Sequence, residues 1–144
     1  MRIRSGDEEV LALYAEADRL LAGWTCDTST DCGRFAVTGR EPQLWPNEWR
    51  VLEKAIASRG VPARKLRVVE DADATCPLLD RGRCTVYAAR PFGCRTFFCE
   101  RAVGPERKLP RAALADIGRR IAAAARAEDP RCDGPRRVTA WFRR

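Results

Sequence analysis

A chain of 144 residues, one third of them charged and with no apolar run of membrane-spanning length, fits a single domain with a real core and no membrane partner. It contains no histidine, which excludes serine–histidine and cysteine–histidine catalysis and zinc hydrolases built on histidine ligands. The net charge of +7 lies entirely in the tail: residues 1–100 hold 15 basic and 15 acidic side chains, residues 101–144 hold 12 and 5. A basic third of this kind suits a nucleic-acid or acidic-partner surface, and equally a solvated helix face in an arginine- and alanine-rich chain.

The opening Asp7-Glu8-Glu9 is acidic where a secretory leader needs its apolar run, so the expected compartment is the cytoplasm. Ser5 with Glu8 three residues on forms a capping box, and Val10, Leu13, Tyr14, Ala17, Leu20 and Leu21 recur at helical spacing, predicting a first helix over about residues 6–22. Turn formers fill 26–33, and Arg34 to Gly39 alternates like a short strand. Pro46 opens a second helix carrying Trp49, Leu52, Ala55 and Ile56 on one face, ended by Gly60 and Pro62. Residues 65–69 read as an extended stretch and 71–75 as a linker. Pro110 opens a third helix through Leu114, Ile117, Ile121 and Ala124, closed by Asp129-Pro130, and Val138 to Phe142 reads as a last strand. The expected fold is α+β, one domain with about three helices, a short β-hairpin and cysteine-bearing loops.

The chemistry lies in the cysteines. In the cytoplasm seven thiols read as ligands or buried side chains rather than as a disulfide framework. Cys26 and Cys32 form one group; Cys76, Cys84, Cys94 and Cys99 form a second; Cys132 stands apart in a predicted surface turn with Pro130, Asp133 and Gly134 and is not expected to be a ligand. All-sulfur sites select zinc or an iron–sulfur cluster, because soft thiolates favour both and suit neither calcium nor magnesium. The competing role for each thiol is a small buried apolar side chain.

Cys76 and Cys84 flank Asp80-Arg81-Gly82-Arg83, a hairpin in which glycine would supply a positive φ. A three-residue loop would put both thiols on one face as diagonal neighbours. A two-residue loop would pair Leu79 with Cys84 and turn Cys76 to the other face. Phe92, Phe97 and Phe98 either shield the second group or are ordinary core aromatics. Arg90 and Arg95 are candidates for hydrogen bonds to sulfur that stabilise a negatively charged centre, or are surface arginines. Tyr87 reads as a half-buried strand aromatic, and Cys94 beside Arg95 as the best candidate for a reactive thiol if the chain is an enzyme.

The run Cys76-Pro77-Leu78-Leu79-Asp80, Gly82-Arg83-Cys84-Thr85-Val86-Tyr87, Ala89-Arg90-Pro91, Cys94-Arg95 and Cys99 resembles the second half of the bacterial CxxCxxCC, or YkgJ-like, family. The resemblance covers about residues 24–100, with 101–144 as a basic helical extension. It implies a zinc- or iron-chelating domain, and some family members carry an iron–sulfur oxidoreductase label. Laid over the family pattern, the chain keeps Cys26 and Cys32 but has Ser29 and Gly33 at two of eight cysteine positions. One metal site is therefore expected, drawn from Cys26, Cys32, Cys76, Cys84, Cys94 and Cys99. The expected function is metal binding with a redox or metal-handling role beside an unidentified protein or redox partner; catalysis is left open, and as an enzyme the chain would have an iron–sulfur oxidoreductase-like activity. The alternative is a zinc-organised nucleic-acid-binding module using the arginine-rich tail.

Overall fold

A computed structural model describes residues 5–24, 34–35, 39–68, 74–81, 83–96 and 109–143. In chain order the named elements are helix α1 (Gly6–Leu20), strand β1 (Gln43–Leu44), helix α2 (Pro46–Ala57), strands β2 (Leu79–Asp80) and β3 (Arg83–Cys84), helix α3 (Phe92–Arg95), helix α4 (Arg111–Glu128), strand β4 (Arg136–Arg137) and helix α5 (Val138–Phe142). Among the described residues 3-10 turns at Ala63–Lys65 and Tyr87–Ala89 stand between them. The fold is α+β, as its sequence pattern implies.

The three long helices form where their signals stand. Ser5 accepts the Glu8 N–H at 3.2 Å at the start of α1, and Asp7, Glu8 and Glu9 occupy its first turn, where the helix dipole favours negative charge. Asp7 meets Lys54 and Arg50, and Arg50 also grips Glu128 at 2.7 and 3.0 Å, so one cluster of charges ties α1, α2 and the end of α4 together. The Lys54 hydrogen bond, helped by Arg50, holds the Asp7 carboxyl below its usual range although burial acts against it.

Helix α2 is the wall between two cores. Its Trp49, Leu52 and Ile56 face a cluster with Phe35, Leu44, Leu78, Val86, Val138 and Trp141, in which the Trp49 and Trp141 rings stack at 5.6 Å. Its Val51 faces the other way, onto Val10, Leu13, Tyr14 and Ala17 of α1 and Leu114, Ile117 and Ile121 of α4. Asn47 donates to the Ile121 carbonyl at 3.2 Å, which satisfies a buried amide and fixes α2 against α4.

Among the described residues two small antiparallel sheets sit on this frame, β1 with β4 and β2 with β3. The terminal segment departs from expectation. Val138–Phe142 is a short helix, because Val138 and Trp141, three apart, both enter the core, and Glu41 accepts the Thr139 N–H at 2.8 Å. Only residues 136–137 are strand. Arg34 forms an isolated bridge, while the Gly39 N–H closes on the Phe35 carbonyl at 2.8 Å, a helical return that an alternating strand would not make. Lys65 ends a 3-10 turn before the chain extends at Leu66. No helix among the described residues is long and apolar enough to cross a membrane.

Candidate metal centre

The hairpin pairs Leu79 with Cys84 and Asp80 with Arg83, the register of a two-residue loop that begins at Arg81. Arg81 takes φ +50°, the left-handed conformation such a loop requires. The shared face that a three-residue loop would give the thiols is thus not formed by strand register. Alternation also stops short of Cys76, because the Leu79 N–H returns to the Cys76 carbonyl at 3.1 Å and turns the chain at Pro77-Leu78. Both half-buried thiols nevertheless pack on the same apolar cluster, beside Leu78 and Val86. Thr85 closes the hairpin by giving both its N–H and its hydroxyl to the Leu78 carbonyl, at 2.9 and 2.7 Å.

Burial pushes the Cys84 thiol up, and the Val86 backbone with the Arg90 and Arg59 guanidiniums act the other way. A thiolate at Cys84 would therefore form in an apolar setting with two cations near it. Arg90 hydrogen-bonds the Tyr87 carbonyl at 3.0 Å and lies over the Tyr87 ring at 3.7 Å. Tyr87 itself is 57% exposed and begins a 3-10 turn, so it is a surface aromatic and not a half-buried strand residue.

A second feature bears on the two cysteine groups. Arg34, two residues after Cys32, forms an antiparallel bridge with Thr75, the residue before Cys76, and the Phe35 N–H reaches the Ala74 carbonyl at 3.3 Å. The chain that follows the first group is thereby paired with the chain that leads into the second.

Cys94 occupies α3, one helical turn packed against α1 and β1. Its neighbour Arg95 is buried, with a side chain only 5% exposed. The guanidinium meets both Asp18 oxygens at 2.8 and 3.1 Å, donates to the Ala88 and Arg90 carbonyls at 2.9 and 3.1 Å, and covers the Tyr14 ring at 4.5 Å. Tyr14 in turn donates to Glu48 at 3.0 Å, and the same Glu48 oxygen accepts the Phe92 N–H at 2.8 Å. The other Glu48 oxygen accepts the Trp45 N–H at 3.0 Å, capping α2. Burial pushes the Glu48 carboxyl up against these three hydrogen bonds, and burial first, then the Glu48 charge, pushes the Tyr14 hydroxyl up. Glu48, only 2% exposed, and Arg95 are the buried charges of this region.

Of the predicted ligands, Cys76 and Cys84 share one cluster and Cys94 lies on α3, whose Phe92 packs on the other cluster, while Cys26, Cys32 and Cys99 fall outside the described residues. Phe92 packs on the helical cluster; Phe97 and Phe98 are likewise outside the described residues. Among the described residues no three Cys, Asp or Glu side chains gather closely enough to hold a metal ion. Cys132 is half-buried after a turn, its Sγ 3.9 Å from the Gly134 carbonyl. No protein-family model, curated protein or solved structure matches the chain.

The buried roles of Glu48 and Arg95 are what sequence reading passes over. For Glu48 a signal existed: it stands four residues before Leu52 on α2, so helical periodicity puts it on the apolar face.

Proposed function

We propose that the chain is a cytoplasmic metal-binding protein of the CxxCxxCC kind, whose thiolates hold one zinc ion or one iron–sulfur cluster. The observation that carries this reading is the Arg34–Thr75 bridge, which joins the two cysteine-bearing segments across some forty residues of sequence. The donor set fits such a centre: half-buried thiols on an apolar cluster, with Arg90 and Arg59 offsetting the charge that thiolates would bring. The site would draw on Cys26 and Cys32 together with two or more of Cys76, Cys84, Cys94 and Cys99, and a bound metal would cross-link the fold or, as a cluster, carry an electron. Cys84 must lose its proton to bind, so affinity rises with pH. Three of the tail's described arginines have partners inside the fold: Arg120 pairs with Glu16 and Asp116, Arg126 covers Trp45, and Arg136 covers Trp141.

The test is metal analysis with absorption spectroscopy on protein purified without oxygen. One zinc per chain in a colourless sample, or iron with labile sulfide in a brown one, supports the reading. In either case chelation and Cys84→Ala each lower the melting temperature, since the binding energy of a structural metal is folding energy. Cys132→Ser leaves the metal in place. Absence of both metals, or an unchanged melting temperature after complete removal, defeats the proposal.

A further inference from the structure

We infer that Glu48 is a positioning residue for Cys94: its buried carboxylate, reaching from α2, fixes the start of the turn that presents this thiol. The inference rests on Cys94 serving as a ligand of the proposed centre. Helix α3 has four residues, too few to hold itself, and Pro91 offers its leading N–H groups no side-chain cap. The Phe92 N–H instead goes to a carboxylate 44 residues away in sequence. The same oxygen takes the Tyr14 hydroxyl, whose ring lies under Arg95, and Arg95 holds the other end of the turn against Asp18, Ala88 and Arg90.

Cys94 is thus enclosed between Phe92 and Arg95, both referred back to one carboxylate. A buried carboxylate is a costly way to join two helices, and an apolar side chain of similar volume often serves stability as well or better. Retaining an acceptor here, with one oxygen shared by the Phe92 N–H and the Tyr14 hydroxyl, places a short turn that packing alone would leave free to shift. The Phe92 ring seats on Gly118 of α4, where a Cβ would stand 3.1 Å from it, so the seat is fitted to one position of the turn.

The test compares Glu48→Leu and Glu48→Gln with the unaltered full-length chain. Alkylation of each thiol by iodoacetamide, followed in metal-free protein by peptide mass spectrometry, reads position directly. Co2+ binding, followed by its visible absorption, reads the thiolate site. In Glu48→Leu, with helical content retained, Cys94 is expected to alkylate at least about tenfold faster while Cys84 and Cys132 are unchanged, and Co2+ to bind about 10- to 100-fold more weakly.

Glu48→Gln rescues both, because its single carbonyl oxygen keeps the Phe92 and Tyr14 hydrogen bonds in preference to the lone Trp45 bond. An unchanged Cys94 rate in folded Glu48→Leu overturns the inference. If Glu48→Leu does not fold, Glu48→Gln decides alone: amide protection lost at Trp45 and kept at Phe92 supports the inference, and the reverse with Cys94 unaffected overturns it. Faster Cys94 alkylation in a chain whose unaltered form binds no Co2+ upholds the positioning role and defeats the metal reading.

Discussion

The two described places that present candidate ligands are held by different physics. Cys76 and Cys84 sit on a hairpin whose alignment comes from backbone pairing and from Leu78 and Val86 sunk into an apolar cluster. Cys94 sits on a single turn held by a buried carboxylate, a tyrosine hydroxyl and a guanidinium. Apolar packing is non-directional and answers to volume; hydrogen bonds between charged groups are directional and answer to the identity of one atom. The hairpin should therefore tolerate changes of chemistry at constant volume, and the turn changes of volume at constant chemistry.

The largest expected effect breaks the hairpin side. Leu78→Ala removes a side chain that is 4% exposed, and the cavity should cost about 3 kcal/mol. Thermal or denaturant unfolding measures it. Alkylation should accelerate at Cys76 and Cys84 and stay unchanged at Cys94. Equal acceleration at all three would show that the two places are one cooperative unit and that the comparison is false.

How far this contrast could be read from sequence follows from range. The three long helices were legible because their determinants are local: Ser5 and Glu8, Pro46, Pro110 and apolar residues three and four apart. The hairpin was legible as an element but not in register, since two- and three-residue loops both suit Asp80-Arg81-Gly82. Five residues, Val138–Phe142, sustain either the strand or the helix period; the burial of Val138 and Trp141, three apart, settles them as helix. Nothing in the spacing of Arg95 shows that Asp18, 77 residues earlier, would take its charge. Of the candidate centre, the residue types are legible in the chain, while the partners that place them come from other helices.

The next effect sharpens the turn side. Arg95→Lys keeps the charge but loses the planar fork that serves Asp18 and two carbonyls at once. Asp18 is half-exposed and recovers water, so the loss comes mainly from the carbonyl hydrogen bonds and the Tyr14 contact and should be about 2 kcal/mol. Cys94 should alkylate faster and Cys84 at its former rate. A variant as stable as the unaltered chain would mean that charge alone, without the geometry of the guanidinium, holds the turn.

The smallest effect separates the seat of the turn from its hydrogen bonds. Gly118 stands in the middle of α4, where alanine would favour the helix by up to about 1 kcal/mol. Its added Cβ would lie 3.1 Å from one edge of the Phe92 ring and 3.7 and 3.8 Å from the next atoms, so the ring must tilt by a few tenths of an ångström. That tilt costs packing in proportion to how firmly the backbone beneath it is held. With the Phe92 N–H fixed by Glu48, the ring moves and the turn does not. The two contributions should nearly cancel, leaving stability within about 0.5 kcal/mol and the Cys94 alkylation rate within about twofold. A large rise in that rate with stability unchanged would place the control of Cys94 in the fit of the ring on α4 and move the directional element of the site from Glu48 to packing.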